Sequence, residues 1–243
     1  MPRYKPNLKF SDCWSSIGNV SFYHRDGQCF WRTRPSTPFC PSAGRIAQTT
    51  VHHRALLAWQ RLPSSVQNIW RRYAIGVTPH RPPFLKDSHI SGYNLFVSAY
   101  HGFAQLGMER VPEPAPFPAF PQFHLTPVSA SVDGNATVCL CCDLQVWNVQ
   151  DPDRYRLSAR IQLTAPGRGC NPGHMRTYLA QTISVRRFRD YCTVRVSFVI
   201  TPSDFRMNGN GAEVQIYLRY RLIDTITGYR NDFRSTSSLL EIH

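Results

Sequence analysis

The chain lacks most of what would point to a membrane protein or a familiar enzyme. No apolar run approaches the ~20 residues that a bilayer-crossing helix requires, so no transmembrane helix is expected. The opening Met-Pro-Arg-Tyr-Lys-Pro is basic, but no apolar core of a leader follows it, so secretion through a signal peptide is not expected. H-E-x-x-H, G-x-S-x-G, a Walker loop and G-x-G-x-x-G are all missing. Their absence removes the reaction classes that those motifs announce. No period of 20–50 residues recurs, which excludes a solenoid. Carboxylates are scarce where the charge is highest: Asp12, Asp26 and Asp87 are the only three in residues 1–108. General acid–base chemistry draws on carboxylates or histidines held in a pocket with shifted pKa values, so this half is poorly stocked for it.

What the chain does have is a core and an excess of arginine. Apolar residues make up 42% of its 243 residues, enough for one large domain or two small ones. Lys+Arg number 28 against 15 Asp+Glu, a formal charge of +13, and only three of the 28 are lysine. Residues 1–108 carry 13 basic and three acidic side chains, net +10; the remainder is net +3. Arginine forks onto carboxylate or phosphate and tolerates partial burial, so the excess predicts a docking surface for an acidic protein or for nucleic acid. The candidate docking or anion-binding residues are Arg32 and Arg34 leaving a hairpin, Arg71 and Arg72 on a helix, and Arg186, Arg187 and Arg189 around Phe188.

Eight cysteines stand at 13, 29, 40, 139, 141, 142, 170 and 192. Without a leader the compartment is read as reducing, so free thiols are expected rather than a disulfide framework. Cys139 and Cys141 would share one strand face and suit a sheet core. Paired C-x2-4-C units are absent and His52 and His53 diverge on a helix, so neither a metal nor any other cofactor is expected.

Periodicity divides the chain. Residues 1–17 read as an extended basic arm. Asn19–His24 and Gln28–Arg32 flank Arg25-Asp26-Gly27, a hairpin signal in which Gly accepts the turn's positive φ. From Gly44 to Leu62 the apolar stripe is Ala47, Val51, Ala55, Ala58, Trp59 and Leu62. Pro63 ends it, and Ser64 or Ser65 is expected to cap a second helix presenting Val66, Ile69, Trp70 and Tyr73. A third helix over 91–106 would turn Tyr93, Phe96, Val97, Tyr100 and Ala104 inward, with Gly107 suited to its C-terminal cap. Trp59, Trp70, Tyr93 and Phe96 are the expected core anchors of this helical part. Six prolines between 108 and 127, interleaved with Phe117, Phe120 and Phe123, predict a stiff strap, with a peptide-recognition motif as the other reading.

Beyond Pro127 the period is two. Strands are expected at 128–132, 136–146, 155–163, 177–185, 192–200, 212–222 and 229–241. The fold class predicted is α+β in two modules: a β-hairpin with three helices over 18–107, then the 108–127 linker and an antiparallel immunoglobulin-like β-sandwich over 128–243. Gly167–His174, rich in Gly with Arg168 and His174, could cradle an anion through backbone amides or be an inter-strand loop.

Ile17-Gly18-Asn19-Val20-Ser21-Phe22-Tyr23, Asp26-Gly27 and Arg32-Thr33-Arg34-Pro35 make a G-x-V-x-F…G…R-x-R-P opening. Leu57–Pro63, Gln67-Asn68-Ile69-Trp70 with Tyr73-Ala74, and Ser91-Gly92-Tyr93-Asn94-Leu95-Phe96-Val97 follow it in order. Over roughly residues 10–107 this order resembles a family of uncharacterised proteins from phage-like gene clusters and gut Bacteroidota; the chain departs from it in its cysteines and at Phe39-Cys40-Pro41. The resemblance implies a virion or assembly context and assigns no catalytic residue. The expectation is therefore a non-enzymatic structural or assembly protein of a phage-like particle, found in a virion or host cytoplasm. It would be oligomeric, partnered by other structural proteins, and without a membrane or small-molecule substrate. Nucleic-acid binding through the basic half is the alternative. A hydrolase would instead require Asp143, Asp151, Asp153, Asp204 and Asp224 to converge in a cleft.

Overall fold

A computed structural model describes residues 15–17, 20–25, 28–33, 43–78, 89–132, 137–148, 151–201 and 213–241. The fold is α+β, with helices and antiparallel sheets. Two compact units are present, 1–48 and 49–243, and the boundary falls within the first helix.

In the first unit, β1 (Ser15–Ile17), β2 (Val20–Arg25) and β3 (Gln28–Thr33) form an antiparallel sheet in that order. Arg25 pairs with Gln28, leaving two residues for the connection. The Asp26-Gly27 turn itself lies outside the described residues. The end of the expected extended arm is a strand: Ser15 pairs with Phe22 and Ile17 with Val20.

The second unit begins within α1 (Ala43–Arg61), followed by α2 (Ser64–Ala74) and α3 (Gly92–Gln105). Pro63 stands at the N-cap of α2 with no side-chain capping bond, so neither Ser64 nor Ser65 caps it, and both lie inside the helix. Pro63 already fixes a φ of −57° at the entry. At α3 the Ser91 hydroxyl accepts from the Asn94 amide at 3.1 Å. Gly107 follows its C-cap at φ +74°, and the Gly107 and Met108 amides donate to the carbonyls of Ala104 and Phe103. These bonds make a Schellman closure, which needs the left-handed residue that glycine supplies.

The eight remaining strands are β4 (Phe123–Val132), β5 (Val138–Trp147), β6 (Tyr155–Thr164), β7 (Arg176–Leu179), β8 (Gln181–Arg187), β9 (Tyr191–Ile200), β10 (Glu213–Asp224) and β11 (Arg234–Glu241). They form two four-stranded antiparallel sheets, ordered β4-β5-β9-β8 and β11-β10-β6-β7. One hydrophobic core draws Leu140, Cys142 and Leu144 of β5 and Val196 and Phe198 of β9 together with Ile161 of β6 and Ile216, Leu218 and Tyr220 of β10.

Several boundaries differ from the sequence expectation. The single strand expected at 177–185 is two strands in different sheets, broken at buried Ala180, whose amide donates to Leu157 at 2.9 Å. β4 starts at Phe123, inside the Pro-rich segment, and is an edge strand whose register shifts after Pro127. An edge tolerates proline because a missing donor there breaks no inner ladder. β11 starts at Arg234 because residues 225–233 form a turn and irregular segment, with Gly228 and Tyr229 buried and Ile226 exposed, rather than strand. In β5 the alternation places Leu140 and Cys142 inward, so Cys139 and Cys141 share the half-buried outer face and not the core.

The helices and sheets share contacts within the second unit. α3 was expected to bury Tyr93, Val97, Tyr100 and Ala104 with Phe96. The fully buried set is instead Gly92, Leu95, Phe96, Ala99, Gly102 and Phe103, because a second face of the helix lies on the 225–233 turn. Gly102 meets Gly228 so closely that a Cβ on Gly102 would stand 1.8 Å from the Gly228 carbonyl oxygen. Tyr229 is fully buried among Trp70, Phe96 and Ala99, and its hydroxyl donates to the Ala115 carbonyl at 2.6 Å. Phe117 lies 5.1 Å from the Tyr229 ring and Phe120 lies 5.8 Å from Tyr155. The Pro-rich segment thus seals helices to sheet, and residues 49–107 share a unit with 128–241.

Candidate functional site

Three helical elements build one open groove of about 720 Å3, lined by Trp59, Asn68, Arg71, Arg72, Ile75, His89, Ser91, Gly92 and Tyr93. Its shape follows from glycine. A Cβ at Gly92 would lie 2.7 Å from the Arg71 amide nitrogen, so α3 starts against the backbone of α2 and holds Tyr93 beside the Arg71–Arg72 turn. Gln67 fixes α1 to α2 by donating to the carbonyls of Trp59 and Leu62 at 3.0 and 3.2 Å, and the Trp59 carbonyl also accepts the Leu62 amide at 3.1 Å.

The expected core anchors divide between core and groove. Trp70 and Phe96 are fully buried, with rings 5.4 Å apart and nearly perpendicular. Trp59 and Tyr93 are half-buried and face each other edge-on at 5.8 Å. Trp59 and Trp70 were expected to pack on each other; both pack instead on Phe96, which stands between them. Ile69, expected inward, is 38% exposed.

Of the candidate docking arginines, Arg71 and Arg72 are exposed on the groove and sit in the last turn of α2, whose carbonyl end favours cations. Arg71 donates to Asn68 at 2.6 Å, and Arg72 has no ion pair among the described residues. Among the described residues no carboxylate lines the groove. Arg186, Arg187 and Arg189 are exposed at the β8–β9 connection, where the Phe188 ring stacks on Tyr191 at 4.6 Å. Arg32 is exposed on β3, and Arg34 lies outside the described residues. The structure therefore brings two of the seven to one cavity and groups three at a hairpin.

The carboxylates that a hydrolase would need are engaged separately. Asp143 accepts a two-point fork from Arg195 across β5–β9 at 2.8 and 3.0 Å, and that hydrogen bond leads in holding its carboxyl below the usual range. Asp151 accepts from the Asp153 amide at 3.0 Å. Asp224, fully buried, is bound by Arg154, and Asp204 lies outside the described residues. Around Gly167–His174 the amides of Arg168, Asn171, Gly173 and His174 all donate within the protein, so they do not form an anion cradle. Cys141, Cys142, Cys170 and Cys192 form no disulfide; burial pushes the Cys142 thiol up to about 12, which keeps it neutral and inert. No group of three or more His, Cys, Asp or Glu that could hold a metal occurs among the described residues.

One cluster had no sequence signal. Arg221 on β10 and Arg230 after Tyr229 are both half-buried, and each donates to a neutral acceptor on α3: Gln105 at 3.0 Å and Ser98 at 3.3 Å. Only the non-local meeting of α3 with the sheet creates it. Compared with protein-family models and with curated proteins, the chain matches none.

Proposed function

We propose that the chain is a non-enzymatic assembly protein that captures an acidic segment of a larger partner in the α1–α2–α3 groove. The observation that carries this reading is the pairing of an aromatic floor, Trp59 and Tyr93, with two exposed arginines and, among the described residues, no lining carboxylate. A carboxylate beside an apolar side chain would satisfy both parts: Arg71 and Arg72 offer forks, and the rings offer surface. Net +10 over residues 1–108 adds long-range attraction to such a partner. The resemblance to proteins of phage-like clusters supports a virion component as the partner, and a particle or the host cytoplasm as the location.

The two sheets support an immunoglobulin-like sandwich as the body being presented. Taken in chain order, β4-β5-β9-β8 follows the A-B-E-D grouping, and β11-β10-β6-β7 follows G-F-C with one extra strand beside C. Size-exclusion chromatography of the full chain with candidate capsid or tail proteins tests the reading. Co-elution that is lost in an Arg71→Glu, Arg72→Glu double variant is the expected result. A chain that stays alone with every acidic component, or binding that survives charge reversal, overturns it.

A second reading, single-stranded nucleic acid, is favoured by one observation: Phe188 is 51% exposed, stacked on Tyr191 and flanked by Arg186, Arg187 and Arg189. It expects log K to fall linearly with log [salt]. No retention of DNA or RNA at low salt removes it.

A further inference from the structure

We infer that the outer face of the β10–β6 pair, where α3 meets it, is a binding site for a phosphate-type oxyanion, held by Arg221 and Arg230 with Arg219 and Arg160 beside them. The strand register assembles the cations. Arg219 and Arg221 alternate with buried Leu218, Tyr220 and Leu222, so both lie on the outer face, and Arg219 pairs directly with Arg160 across the ladder. Like charges directly opposite repel, and such an arrangement favours an anion between them.

Burial sharpens the demand. Among the described residues the Nε atoms of Arg221 and Arg230, shut away from solvent, have no acceptor, and each guanidinium has one neutral oxygen as hydrogen-bond partner. Among the described residues no carboxylate forms an ion pair with either. The charge of Asp232 attracts Arg221. Phe233 lies 4.3 Å from the Arg221 guanidinium and 5.3 Å from that of Arg219, a contact that orients both without neutralising them. A buried cation normally has its counter-charge in contact. The neighbouring groups register the surplus: burial, then the charges of Arg230, His52 and Arg221, hold His101 down to about 4. Burial, then Arg230 and Arg160, brings Arg221 down to about 9, and burial brings Arg230 down to about 10. An oxyanion seated on the two guanidiniums supplies the missing acceptors and the missing charge together.

The site is separate from the groove and does not depend on it. Titrating the full chain calorimetrically with sodium phosphate, against sodium chloride of matched ionic strength, tests it. Saturable binding is expected, weakened at least tenfold in Arg221→Gln and in Arg230→Gln. A nucleoside monophosphate forms the second arm: tighter binding than inorganic phosphate makes an esterified phosphoryl group the source, and weaker binding makes it the free ion. Should the glutamine variants fail to fold, NMR of His101 in the unaltered chain gives the second readout, with its pKa rising as phosphate saturates. No saturable signal beyond chloride, equal binding by the folded glutamine variants, or an unmoved His101 overturns the inference.

Discussion

At the scale of single residues, the most demanding position is Asp224. Its carboxylate is fully buried and accepts from Arg154 Nε and Nη2 at 3.2 and 2.8 Å, from the Ile226 amide at 3.0 Å and from the Thr227 hydroxyl at 3.0 Å. Burial alone would raise its pKa, but those donors outweigh burial and hold it below the usual carboxylate value. Asp224→Ala removes all four of these hydrogen bonds and should cost about 3 kcal/mol in urea unfolding. The acid dependence has two windows. His101 sits at about 4 in the folded chain against ~6.5 unfolded, so between those values the unfolded chain binds more protons and stability falls with falling pH. Below ~4 the depressed Asp224 takes over, its stabilisation present above the unfolded carboxylate pKa and lost as pH falls through the folded one. His101→Gln should therefore flatten the upper window and leave the lower one, measured as unfolding free energy from pH 3 to 7. Sequence patterning marked Trp70 and Phe96 because large apolar side chains at helical spacing are buried wherever the helix packs. It could not mark Asp224, Arg221 or Arg230, whose partners lie 70, 116 and 132 residues away in the chain.

At the scale of elements, α3 shows why period alone misplaces a face. An apolar stripe reports that a helix is covered, not by how many neighbours. α3 packs on more than one element: Trp59 of α1 and Trp70 of α2 meet Phe96, while the 225–233 segment takes Ala99, Gly102 and Phe103. The glycines that permit the second contact were visible in sequence but carried no address. Gly228 adopts φ +73°, and a Cβ there would stand 2.5 Å from the Ala99 carbonyl oxygen. Gly102→Ala should therefore force backbone apart, with an expected loss of about 1–3 kcal/mol by denaturant titration, whereas Gly107→Ala meets no atom within 4 Å and strains only its own φ. A Gly102→Ala variant as stable as the parent would mean that α3 does not lie on this turn. The strands were legible because one buried face imposes strict alternation, as in β9 with Cys192, Val194, Val196, Phe198 and Ile200. Where the chain crosses between sheets at Ala180, every residue of β8 is exposed, so no buried face marked the two strands apart in the sequence.

At the scale of the whole second unit, the question is whether helices and sheets behave as one cooperative body. The helical cluster and the sheet core are distinct, yet Phe120 packs on both and Tyr229, carried by the β10–β11 connection, is buried in the helical one. Side chains that belong to two cores couple their opening, because exposing either core strips contacts from the other. Tyr229 is fully enclosed with its hydroxyl bonded, and burial is what drives that hydroxyl's pKa up, so it cannot be released without losing both bond and packing. Native-state hydrogen exchange should accordingly show the amides of α2 and α3 opening with the same free energy as those of β6 and β10. Tyr229→Ala should separate the two, with the helices exchanging through a lower-energy opening while β6 and β10 keep theirs. A parent chain in which α2 and α3 already exchange at lower energy would show that helices and sheets are independent. In that case an acidic segment bound in the groove would protect the helices alone and leave the sheets' exchange unchanged.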